Sequence, residues 1–247
     1  MSDGLIVVLA DRGDAGAAAV VSEVAARRTP DHVVVVRSDD LARSRWHHTV
    51  GPQGAAATRV TLPDGRVLDS ARIGALLHRL PHVPPLGFMT APLKDRHYAF
   101  SELRALLASW LLGLSSRLVG MAMIHAGLSG ASPALALACA RQSGLRVVPW
   151  PGGSGTALPG TPPVPPERLL LAGDTVVGEP GTSCAEPYRR LLGRLGTNLA
   201  EVHMVRQGGP GVAGVDLFPP LDLPEHSAAV ASLLIDVAAR HPVGKTA

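Results

Sequence analysis

Apolar and polar positions alternate in blocks that predict a layered α/β chain. Gly4–Ala10 is a continuous apolar run, the pattern of a strand buried on both faces of a parallel sheet. Asp14 then stands as a helix cap before an Ala/Val-rich stretch ending near Arg27 and Arg28, whose charges suit a helix C-terminus. His32–Val36 is a second buried strand. Strand, helix, strand is the opening of a Rossmann-like layer. Thr58–Leu62 and Arg66–Leu68 flank the turn Pro63-Asp64-Gly65 and predict a hairpin, and Ile73–His78 predicts another strand. Leu80–Pro92, broken by four prolines, reads as loop. From about Asp95 to Leu114, Leu103, Leu106, Leu107, Trp110, Leu111 and Leu114 recur at helical spacing. Arg117–Gly120 is a short strand. Ser132-Pro133 opens a helix that closes at Ser143-Gly144, and Leu145–Trp150 is a strand.

Periodicity stops at residues 151–166, PGGSGTALPGTPPVPP, which cannot bury enough surface to order itself and reads as a linker. Beyond it come a hairpin over Arg168–Gly178, a helix over Glu186–Leu195, strands at Glu201–Arg206 and Gly211–Leu217, and a closing helix over Pro224–Arg240. That last helix turns Val230, Leu233, Leu234 and Val237 inward. The expected organisation is a domain at 1–150, a linker at 151–166 and a small α+β portion at 167–247.

Composition narrows the classes. The 247 residues are 46% hydrophobic but only 3% aromatic, so the core is built of Ala, Leu and Val. The net charge of +3 comes from 23 basic and 20 acidic residues, scattered without a basic stripe or stacking aromatics, which argues against nucleic acid. Of the basic residues, Lys94 and Lys245 are the lysines. No apolar run reaches membrane-spanning length and no targeting segment precedes the first strand, so the expectation is a cytoplasmic protein without a membrane partner. Cys139 and Cys184 form no metal-binding or redox spacing.

Two stretches carry a resemblance. The first is Asp95–Leu114, Arg117-Leu-Val-Gly120, Gly127-Leu-Ser-Gly130 and Ala138–Pro149; the second is Tyr188–Gly196, Glu201–Arg206, Gly211–Pro219 and the closing helix. In order and spacing they are similar to ATP-grasp ligases that modify ribosomal peptides. The resemblance implies a pre-ATP-grasp N-terminal domain followed by a remnant of the ATP-grasp C-terminal domain. It also implies a deletion of the ATP-holding middle, with 151–166 in its place. In those ligases an Asp, a Glu and an Asn hold magnesium against ATP, because a hard cation needs several oxygen ligands. The matching positions here are His203, Gly214 and Asp216, and the Asn expected after the short strand is Gly120. Gly152-Gly-Ser-Gly-Thr156 lacks the lysine of a phosphate loop. No ATP or magnesium cofactor is therefore expected.

For ligands, Asp11, at the carboxyl end of the first strand, stands where open α/β sheets bind them. His78, Arg79 and Arg96, with His82 nearby, form a basic group suited to a small acidic molecule or a peptide. The weaker catalytic candidates are His203 with Asp216, as a general-base pair, and Cys184, as a nucleophile. His47 and His48 read as a solvated loop. Three functions follow: a non-catalytic accessory protein binding a substrate, peptide or partner ligase; a repurposed nucleotide-independent enzyme using His203/Asp216 or Cys184; or half of a split ligase completed by another chain. The long helix at 95–114 is the expected dimer surface.

Overall fold

The computed structural model describes residues 4–29, 32–52, 56–121, 133–148, 167–178, 185–206 and 209–242. The expected linker at 151–166 and Cys184 lie outside them, as does Ser132. The chain packs as two compact units, Met1–Ile124 with Leu221–Ala247, and His125–Pro220. This division differs from the expected one at 1–150 and 167–247, because the closing helix packs with the first strands.

In the first unit, β1 (Leu5–Leu9) leads through α1 (Ala15–Arg27) to β2 (Val33–Val36), then α2 (Ser38–Arg43), β3 (Arg45–Val50), β4 (Ala56–Thr61), β5 (Val67–Asp69) and β6 (Ile73–His78). A 3-10 turn at Leu86–Phe88 precedes α3 (Leu93–Gly113) and β7 (Leu118–Val119). β2, β1, β6 and β7 make a parallel sheet in that order, and β3, β4 and β5 an antiparallel one. Ile6 to Leu9 of β1 and all six residues of β6 are buried, but β2, expected as a second buried strand, buries only Val36 and leaves Val35 exposed, because it is the edge strand of its sheet. The core extends to Leu41, Val60, Leu68, Leu107, Trp110 and Leu111.

The second unit holds α4 (Pro133–Gln142), β8 (Glu167–Ala172), β9 (Thr175–Val177), α5 (Ala185–Leu195), β10 (Leu199–Val205) and β11 (Gly211–Asp216). Its antiparallel sheet runs β11-β10-β8-β9. The strand expected at 145–150 shows only a bridge from Val147 to Val212, with Trp150 outside the described residues. The chain then returns to the first unit as α6 (Pro224–Arg240), which packs on α1 and β6 with Val230, Leu233, Leu234 and Val237 buried as expected. Gly74 allows this approach. A Cβ there would stand 2.9 Å from the Gly4 Cα and 3.2 Å from the Ala238 Cβ.

His47 and His48, expected in a solvated loop, lie instead on the edge strand β3, which follows α2. Trp46 anchors that strand edge-on to Trp110, with ring centroids 5.4 Å apart, and donates its indole N–H to the Leu41 carbonyl. His47 and His48 do face opposite ways, as neighbours on a strand must. His47 is exposed, whereas His48 bonds through one ring nitrogen to Thr58 and through the other to Ser109.

Candidate functional site

Two clusters contain the candidate residues that the structure describes, one in each unit. The first lies at the carboxyl ends of β1 and β6. Asp11 accepts from both the backbone N–H and the hydroxyl of Ser38. Asp14 caps α1 by accepting from the Ala17 N–H, and its carboxylate meets the Arg79 guanidinium at 2.6 and 3.3 Å. That pair is largely enclosed. Asp11 and Arg79 are thus held by internal partners, and the geometry supports loop anchoring more directly than ligand capture. Asp14→Asn keeps the cap acceptor but removes the charge facing Arg79. It is expected to lower unfolding stability by about 2 kcal/mol, read from urea denaturation; an unchanged midpoint would show that the pair is idle.

His78 is buried, and its Nδ1–H donates to the Met121 carbonyl. Burial pushes its pKa down from 6.5 to about 4 against the opposing pull of backbone hydrogen bonds at Met121 and Leu80, so the ring is neutral near neutrality. Arg96 sits half-buried in the first turn of α3, its Nε enclosed without a hydrogen-bond partner among the described residues. His82 packs on Phe100. The ligand candidates therefore differ in role: Asp11 and Arg79 tie loops down, His78 is buried, and Arg96 is carried by α3.

The second cluster lies on one face of the second unit's sheet. In antiparallel strands, directly opposed residues share a face, as do alternate residues along a strand. His203 opposes both Arg168 and Gly214, and Glu201 opposes Asp216. Arg168, Glu201, His203, Gly214 and Asp216 consequently share one face. The Glu201 carboxylate, with its side chain 2% exposed, is gripped by Arg168 through Nε at 2.8 Å and Nη2 at 2.9 Å. It also accepts from His203 Nε2 at 3.0 Å. Burial pushes the Glu201 pKa up, but the His203 and Arg168 hydrogen bonds outweigh this and hold it below the usual value.

His203 was expected to face Asp216. Its carboxylate partner is instead Glu201, two residues earlier on its own strand, and Asp216 accepts from the Phe218 N–H. Glu201 and Arg168 are the residues the sequence reading missed. A glutamate at period two from His203 inside an apolar strand was the available signal. A Cβ at Gly214 would stand 3.4 Å from His203 Nδ1, so a longer side chain there would compete with the imidazole for space.

The donor set on this face suits a magnesium ion poorly. Of the three expected ligand positions one offers imidazole already bonded to a carboxylate, one offers nothing and one offers the Asp216 carboxylate. The Arg168 guanidinium adds positive charge beside them. Among the described residues no group of three or more His, Cys, Asp or Glu side chains is placed to hold a metal.

No protein-family model matches the sequence, and no curated protein does. Solved structures do. One is the ATP-grasp ligase PsnB complexed with minimal precursor, Mg and ADP, at TM-score 0.67 and 15% identity, covering 95% of this chain and 98% of that one. The fold is ATP-grasp-like. The macrocyclase MdnC bound with precursor peptide MdnA, from Microcystis aeruginosa MRC, aligns at TM-score 0.64 and 14% identity over 94% of this chain and 99% of that one. A RiPP-associated ATP-grasp ligase from Chryseobacterium gregarium, in complex with ADP and a leader and core peptide, aligns at 0.62 and 11% over 94% and 97%. At these identities the likeness is one of fold. Within this ATP-grasp-like fold no described helix is long and apolar enough to cross a membrane.

Proposed function

We propose that this chain is a non-catalytic, ATP-grasp-like accessory protein of a peptide-modifying pathway, which binds a substrate peptide or a partner ligase and not ATP. One observation carries the reading: the sheet face where magnesium ligands are expected carries an internal Arg168–Glu201–His203 cluster instead. An arginine bonded to both oxygens of a buried carboxylate neutralises it and leaves it little capacity for a divalent cation. Similarity of fold to ligases bound to precursor peptides supports a peptide as the ligand class. The loss of the ATP-holding middle and the remnant nature of the C-terminal portion belong to the same proposal.

The cluster weighs against the His203–Asp216 pair of the repurposed-enzyme reading, since the carboxylate that bonds His203 is Glu201 and Asp216 accepts from the Phe218 N–H instead. The test is calorimetric titration with magnesium-ATP and, separately, with precursor-type peptides of the pathway. The expected result is no saturable heat from nucleotide up to ~1 mM and micromolar-range heat from peptide. Saturable nucleotide binding by the chain alone would overturn the reading. Nucleotide binding that emerges only on adding a second chain would replace it with a split ligase.

A further inference from the structure

The exposed surface of α3 carries a pattern that the monomer does not use. Among the described residues the exposed large hydrophobic side chains are Val35, Val50, Val67, Phe88, Met89, Leu93, Tyr98, Leu112 and Leu135. Five of these nine fall between Phe88 and Leu112, on α3 or just ahead of it, so exposed apolar surface is concentrated there. The inner face of α3 is spent on the core through Leu107, Trp110 and Leu111. Tyr98, 68% exposed, is at the middle of the opposite face. Lys94 and Glu102, both exposed, stand four residues before and after it. At about 100° per residue, these three fall within about 40° of one line along the helix, each charge ~6 Å from Tyr98. Among the described residues neither Lys94 nor Glu102 is in an ion pair. Lys94 also sits in the first turn, where the helix dipole disfavours a cation.

We propose that this stripe is a self-association seam in which two copies of the chain pack α3 antiparallel about a two-fold axis at Tyr98. The order cation, aromatic, anion is self-complementary in that arrangement alone. Reversing the second helix sets Lys94 of each copy against Glu102 of the other and Tyr98 against Tyr98. A parallel arrangement would oppose like charges. A two-fold contact must pair a surface with itself, so a charge on one side of the axis requires its opposite on the other. Phe88 and Met89, exposed just ahead of α3, add apolar side chains near the N-terminal end of the helix. A contact confined to the 3-10 turn and the first turns of α3 is at the small end of stable interfaces, so association on the order of micromolar is expected. The proposal is independent of the accessory reading, since a nucleotide-binding chain would present the same stripe.

The experiment is light scattering on the full chain, combined with zero-length carbodiimide cross-linking of mixed isotope-labelled and unlabelled protein. Lys94 is one of two lysines in the chain, so its cross-linked peptides are unambiguous. The expected results are a mass approaching twice 25.6 kDa as concentration rises, and Lys94–Glu102 peptides joining light and heavy chains. Lys94→Glu and Glu102→Lys should each weaken self-association at least ~10-fold, and the double exchange should restore it. Both side chains are exposed, so the variants should unfold like the parent. Tyr98→Arg, the second kind of variant, should also dissociate the pair. A monomer at ~200 µM overturns the proposal, as does association indifferent to the single reversals or a double exchange that fails to restore it.

Discussion

Replacing Arg168 by Met is expected to destabilise the protein by about 3 kcal/mol or more, because it leaves the Glu201 carboxylate buried with its bidentate partner removed. Replacing Glu201 by Leu should cost less. The Arg168 side chain is 28% exposed and can turn its guanidinium toward water, a route that Glu201, at 2%, lacks. The double variant should be more stable than Arg168→Met alone, since a well-packed apolar pair removes both charges together. Urea denaturation of the four proteins measures the coupling between the two sites. If the two single losses simply add, the cluster is not acting as a unit, and the case for an internal replacement of the metal site weakens with it.

Acid should unfold this protein earlier than its carboxylates alone would dictate. His78 binds a proton at pH 6.5 when unfolded but only near pH 4 when buried. Above 6.5 the ring is neutral in both states and the full stability is present. As the pH falls from 6.5 through 4 the unfolded chain takes up a proton that the folded chain refuses. The resulting loss is about 3 kcal/mol, at ~1.4 kcal/mol for each tenfold difference in proton affinity. Glu201, whose pKa is depressed below 4.5, adds a loss at still lower pH. His78→Gln retains a donor for the Met121 carbonyl and does not titrate, so its stability should be nearly level between pH 6.5 and 5, where the parent's declines. Parallel pH profiles for parent and variant would mean that His78 is protonated in the folded state without penalty.

Local patterns were legible wherever one element decides its own fate. The apolar run of β1, the Asp14 cap and the closing helix are all found at their expected positions. β3 was not legible. Its residues Arg45-Trp-His-His-Thr-Val50 are mostly polar, as suits an edge strand, and what orders the segment, Trp46 on Trp110 and His48 on Thr58 and Ser109, comes from partners distant in sequence. Partner choice was harder still. His203 and Asp216 were visible as residue types, but which carboxylate bonds the imidazole depends on cross-strand register, and register comes from contacts far apart in sequence. The bond between Arg79 and Asp14 spans 65 residues, and no local pattern announces it.

The return of α6 to the first unit has a consequence for synthesis on the ribosome. Residues 221–240 belong to the same body as residues 4–121, yet they are made only after the whole of His125–Pro220. While the second unit can complete its four-stranded sheet as it emerges, the parallel sheet of the first must wait with the faces of α1 and β6 uncovered until α6 leaves the exit tunnel. During that interval the nascent chain exposes the apolar surface that Val230, Leu233, Leu234 and Val237 will later cover, and it is then that chaperones have a site to hold.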